Sequence, residues 1–168
     1  MAKKTDKRVL ANIIVGCLII MITAFAIKWP VGNRVLGDEY SSHIYCYTSF
    51  RLLSVSMSDD AQVFSFNHDD RYNDTFEFIY DKESDSYQIY KVISGDPMYL
   101  GAGEDQNLVM DDNGDGDAFR WRFDRLGNSM YFLMINEEYG LALYETEDSR
   151  AVLMPVDDGN INMYMRLQ

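Results

Sequence analysis

The stretch AFRWRFD, Ala118–Asp124, sets an aromatic residue at every second position. Its outline recurs at Thr75–Asp81, TFEFIYD, and at Asn162–Gln168, NMYMRLQ. Laid over one another without gaps, the three bring Phe76, Phe119 and Met163 into register. Phe78, Trp121 and Met165 follow, then Tyr80, Phe123 and Leu167, spaced by 43 and then 44 residues. Alternation at period two marks a strand with one buried face. The runs before them repeat too: VFSF (Val63–Phe66), NLVM (Asn107–Met110) and AVLM (Ala151–Met154). YQIYKV from Tyr87 has its counterpart in YFLMIN from Tyr131, and YCYTSF from Tyr45 is a more divergent first member.

Residues 43–168 number 126, or three units of 42. Each unit reads as four short strands separated by Asp, Asn, Gly and Ser clusters. One unit cannot cover its own apolar face. Three can, if paired strands close a barrel and the remaining hairpins cap its open end, which also removes exposed strand edges. The expected fold class is all-β: a β-trefoil of three roughly 42-residue repeats over residues 43–168. Met98, Met130, Met154, Met163 and Met165 follow the strand spacing and read as core.

Within this frame, Tyr80–Met110 followed by Ala118–Phe123 resembles the repeat of ricin-B-like β-trefoils. There a Y-x-I strand, an SG turn and a small-residue strand lead to a terminal Q-x-W. Phe119-Arg120-Trp121 keeps the Trp with Phe in place of Gln. Phe76-Glu77-Phe78 and Met163-Tyr164-Met165 keep neither. The resemblance implies a lectin-like module, in which an aspartate after the small-residue strand accepts sugar hydroxyls and a ring stacks on the sugar face. The matching positions are Ser54, Gly101 and Tyr144, none of them an acid. The ligand-binding candidates are then Tyr99, Tyr139 and Tyr144.

DDNGDG, Asp111–Gly116, begins like a calcium loop, with Asp111, Asn113, Asp115 and Asp117 as candidate ligands. The twelfth position, which should be a chelating Glu, is Arg122. The equivalent connections of the other repeats are polar as well, so the expectation is a turn, with calcium as the lesser alternative. No cofactor is expected otherwise. There is no H-E-x-x-H, no C-x-x-C and no phosphate loop with its Lys, and the two histidines, His43 and His68, have no triad pattern around them. The chain reads as non-catalytic.

Charge divides the chain. Residues 1–37 carry six Lys/Arg against one Asp, and residues 38–168 carry nine against twenty-six Asp/Glu, a net of −17. A surface that acidic repels phosphate backbones, which argues against nucleic acid as a partner. Val9–Ile27 has no charge over nineteen residues, enough for a helix of about 28 Å. The expected organisation is a cytoplasmic basic tail (1–8), a transmembrane helix or signal peptide (9–30), a tether (31–42) and the trefoil (43–168). Lys3, Lys4, Lys7 and Arg8 outnumber the positive residues beyond the span, which places the acidic domain outside the membrane, single-pass. Ala24-Phe25-Ala26 also fits a cleavage site, and Ile14–Cys17 resembles a lipobox. Cys46 has no cysteine partner after residue 42.

The function expected from these features is a membrane-anchored, extracytoplasmic binding module whose loops recognise a glycan or a protein partner. The alternative is an accessory subunit of a membrane assembly, its helix packing on partner helices through Ala11, Gly16 and Ala24.

Overall fold

The computed structural model describes residues 37–58, 61–68, 74–127 and 129–168. The basic tail, the membrane-spanning run with Cys17, and residues 31–36 of the expected tether lie outside them. All described residues belong to one unit, Asn33–Gln168.

Among these residues there is no α-helix. The strands are β1 (Glu39–Ser42), β2 (Ile44–Cys46), β3 (Leu52–Ser58), β4 (Ala61–Asn67), β5 (Phe76–Asp81), β6 (Ser86–Ile93) and β7 (Asp96–Ala102). They continue with β8 (Leu108–Asp111), β9 (Trp121–Arg125), β10 (Phe132–Asn136), β11 (Leu141–Glu145), β12 (Ala151–Pro155) and β13 (Tyr164–Leu167). Short 3-10 turns, Asp117–Phe119 and Ile161–Met163, lead into β9 and β13.

The wall of the barrel runs β5–β6–β9–β10–β13–β2 and closes through β1, which pairs with β5. β1 and β2 form one stave bent at His43. Ser42 faces Phe76 on one side, and Ile44 faces Leu167 on the other. His43 N–H donates to Gln168 O at 3.1 Å, and Gln168 N–H returns to His43 O at 3.3 Å. Glu39–Ser42 therefore belongs to the domain and not to the expected 31–42 tether. Three of its four residues are exposed, so its composition looks like a linker. A chain trimmed to begin at Ile44 is expected to unfold at a clearly lower urea midpoint than one beginning at Gly37, because β5 loses its neighbour.

Three hairpins, β3–β4, β7–β8 and β11–β12, form the cap. The pairings define the repeat. Ile44 faces Leu167, Ile89 faces Phe78, and Met134 faces Phe123. Within each repeat Ser42 faces Phe76, Tyr87 faces Trp121, and Phe132 faces Met165. Phe76, Trp121 and Met165 are thus equivalent, and so are Phe78, Phe123 and Leu167. This corrects the gapless overlay, which paired Phe78 with Trp121: the first repeat slides by two residues, and Tyr87 matches Phe132 instead of Tyr131. In the cap, Leu53–Phe66, Leu100–Met110 and Leu143–Leu153 are the equivalent pairs. The overlay had put Met154 at the last position. A one-residue slip reverses the face of a strand. Leu153 is buried while Met154 is 42% exposed. Met130 is 65% exposed, so it too leaves the core, whereas Met163 and Met165 are buried.

Aromatic rings fill the barrel. Phe123 stacks on Tyr87 and on Phe132, each at 4.9 Å between centroids, and meets Phe78 edge-on at 6.1 Å. Offset and edge contacts of this kind add stability beyond area burial.

Candidate functional site

The three positions that match the sugar-binding aspartate of the resembling family are all occupied by packing. Ser54 is buried and donates its hydroxyl to Asp74. At Gly101 a Cβ would lie 2.4 Å from Cδ1 of Phe119 and 2.8 Å from Ala118 O, so only glycine fits. Tyr144 packs with Tyr47 and Tyr131 over Leu133, Ile135 and Ala142, a small second core on the outside of the barrel.

The other candidate rings are separate from it. Tyr99 lies 5.6 Å from Tyr90, and its ring covers Gly114, where a Cβ would come within 2.5 Å. Tyr139 is half-buried against the main core. Tyr47 and Tyr131, whose rings lie 4.1 Å apart, join Tyr144 instead. Their signal in the sequence was only that of ordinary strand tyrosines.

In the acidic loop the oxygens serve the turn. Asp111 Oδ1 accepts from Asn113 N–H at 2.8 Å, and Asn113 Oδ1 accepts from Asp115 N–H at 3.2 Å. Gly116 takes a φ of 92°, which favours glycine. Gly114 O accepts from Gln88 Nε2 at 2.7 Å, which fastens the loop to β6. Among the described residues no three His, Cys, Asp or Glu side chains converge as a metal site. Asp115→Ala is expected to leave the melting temperature unchanged in calcium and in chelator alike. A calcium-dependent rise that the variant loses would assign the loop to a cation.

Three equivalent inward positions tie the segment before the last strand of each repeat, each with different chemistry. Lys91 forms an ion pair with buried Asp74, whose Oδ2 also accepts from Val55 N–H at 3.0 Å. Asn136 Nδ2 donates to Ala118 O at 2.7 Å. Cys46 Sγ contacts Thr48 Oγ1 at 3.3 Å and Asn162 O at 3.9 Å. Burial pushes the Cys46 thiol up, reinforced by the carboxylate of Glu145. The thiolate is the reactive form. In a chain carrying Cys17→Ala, Cys46 is therefore expected to resist a thiol reagent at neutral pH and to react once the domain is unfolded in urea.

Clefts open on the described surface, and two of them lie beside loops. One, of about 430 Å³, lies where β4, β8 and β12 meet, with Val63, Val109 and Val152 in its walls. Gln62 clamps its side, donating to Met110 O at 2.7 Å and accepting from Met110 N–H at 2.6 Å. The other, of about 550 Å³, lies at the junction of the second and third repeats, between the β9–β10 turn and the β12–β13 loop. Leu133 and Tyr164 form its floor, Leu126 and Val156 its apolar rim, and Asp124 and Asp158 stand one on each lip. Both lips are fixed by hydrogen bonds. Ser129 Oγ donates to Leu126 O at 2.6 Å, and Tyr164 Oη donates to Asp158 O at 3.0 Å.

No family profile and no curated protein sequence matches the chain. Solved structures do. The chain is similar to Cry35Ab1, with TM-score 0.65 and 14% identity over 79% of this chain and 36% of that one. It is similar to SeviL bound to asialo-GM1 saccharide, with TM-score 0.61 and 12% identity over 76% and 95%. It is also similar to ThreeFoil, a designed 3-fold symmetric protein, with TM-score 0.59 and 16% identity over 76% and 96%. The chain thus spans about a third of the first and nearly all of the other two. At these identities the likeness shows the fold: the domain is a β-trefoil.

Proposed function

We propose that this trefoil is a non-catalytic carbohydrate-binding module, held outside a membrane by the uncharged run at residues 9–27. The observation that carries the reading is the likeness to SeviL, a trefoil of almost the same extent whose structure holds an asialo-GM1 saccharide. Rigid barrels that present loops are good platforms for binding. Ser54, Gly101 and Tyr144 are taken up by packing, so in this reading the ligand lies elsewhere than at the positions matching the resembling family's aspartate.

A second reading, a protein partner within a membrane assembly, is favoured by the exposed Leu126, Met130 and Val156. A glycan array and a detergent pull-down, each run with the full chain and with residues 37–168, separate the two. Glycan binding kept by the shorter chain supports the module. A membrane-protein partner captured only by the full chain, with no glycan bound by either, overturns it.

A further inference from the structure

Counting outward from the strand registers by one to three residues sets four positions of this cleft, at the junction of the second and third repeats, over four positions at the junction of the first and second. Leu126 matches Asp81, Leu133 matches Gln88, Val156 matches Asn113, and Tyr164 matches Arg120. At the junction of the first and second repeats these four are polar and engaged. Arg120 Nη1 lies 2.8 Å from Asp81 Oδ2, Gln88 reaches Gly114 O, and Asn113 holds the Asp115 amide. The loop is drawn onto the barrel. In the first repeat His43 and Thr75, which touch each other, stand where Leu133 and Tyr164 do. At the junction of the second and third repeats the side chains of Leu126, Leu133 and Val156 can form neither an ion pair nor a hydrogen bond, and the cleft stands open between its lips.

We propose that this opened cleft is the saccharide site of the domain and that it takes an uncharged hexose or a short neutral oligosaccharide. The proposal rests on the carbohydrate-binding reading. A pyranose has an apolar face of C–H groups and a rim of hydroxyls. The cleft offers the complement: Leu126 and Val156 against the C–H face, and on its two sides the carboxylates of Asp158 and of Asp124, whose Oδ1 also accepts from Arg122 Nε at 3.3 Å, to accept hydroxyl protons. Arg125 supplies a donor. Fixed lips spare the ligand the entropic cost of ordering them. The net charge of −17 over residues 38–168 repels sialylated and sulfated glycans, which selects the neutral class.

The test uses the full chain in detergent, titrated with the strongest neutral binder from a glycan array and with its sialylated form. Leu126 and Val156 are each 44% exposed, so Val156→Asn and Leu126→Asp, which install the residues found at the preceding junction, should keep the wild-type melting temperature. These two variants and Asp158→Asn are expected to weaken neutral-glycan binding about tenfold to a hundredfold, with Asp115→Asn unchanged. Wild-type affinity in all three cleft variants would overturn the cleft and leave the carbohydrate reading standing. Preference for the sialylated form would overturn the neutral class. No glycan bound by the wild type would overturn both readings.

Discussion

Trp121→Ala is expected to cost about 3–5 kcal/mol in urea unfolding, the range for removing a large buried ring. Trp121 is fully buried in the barrel, between Tyr87 of β6 and Asn136 of β10. Its indole N–H donates to Leu100 O at 2.8 Å, so the ring also bolts the barrel to the β7–β8 hairpin. The alanine leaves a void and strips a buried carbonyl of its donor, and both effects point the same way. Trp121→Phe should cost less, since it keeps most of the volume and loses only the hydrogen bond. Normal stability in the alanine variant, with glycan binding lost, would move Trp121 from the core to a ligand site.

Asp74→Ala is expected to cost about 2–4 kcal/mol at neutral pH, the range for breaking a buried pair, reduced because Lys91 is partly exposed. The side chains of Asp74 and Lys91 are 4% and 20% exposed. Removing the carboxylate leaves the Lys91 ammonium, the Ser54 hydroxyl and the Val55 amide without their shared acceptor. Replacing both charges, as Asp74→Leu with Lys91→Met, should cost less than the sum of the single changes, because no orphaned ion remains. Additive losses in a double-mutant cycle would show that the two groups act independently.

The trefoil was legible because period-two aromatic runs and polar turns recur at near-constant spacing, and closing a barrel is the physical remedy for such edges. The register was less so. TFEFIYD carries apolar residues at Phe76, Phe78 and Tyr80, so a slip of two matches as well as the true pairing. AVLM has four apolar residues in a row and so no alternation to fix its face. Lys91 and Asp74 are 17 positions apart and look like a strand lysine and a loop acid. Only the β5–β6 pairing brings them together. The cleft was invisible for the same reason: Asp124, Val156 and Tyr164 meet only through the β9–β10–β13 order, and none of them belongs to a motif. Tyr99 and Tyr139 carry nothing in the sequence pattern that separates them from Tyr47 and Tyr131.

The seam at His43 has a kinetic consequence. Ile44 and Leu167 stand side by side although 123 positions separate them along the chain. Closing so long a loop carries a large entropic toll before any contact rewards it, so refolding should proceed in milliseconds to seconds, as in other topologies rich in distant pairings. Until then β13 lacks its partner β2 and its ladder edge is bare. That half-shut species, rather than the finished barrel, is where self-association would begin.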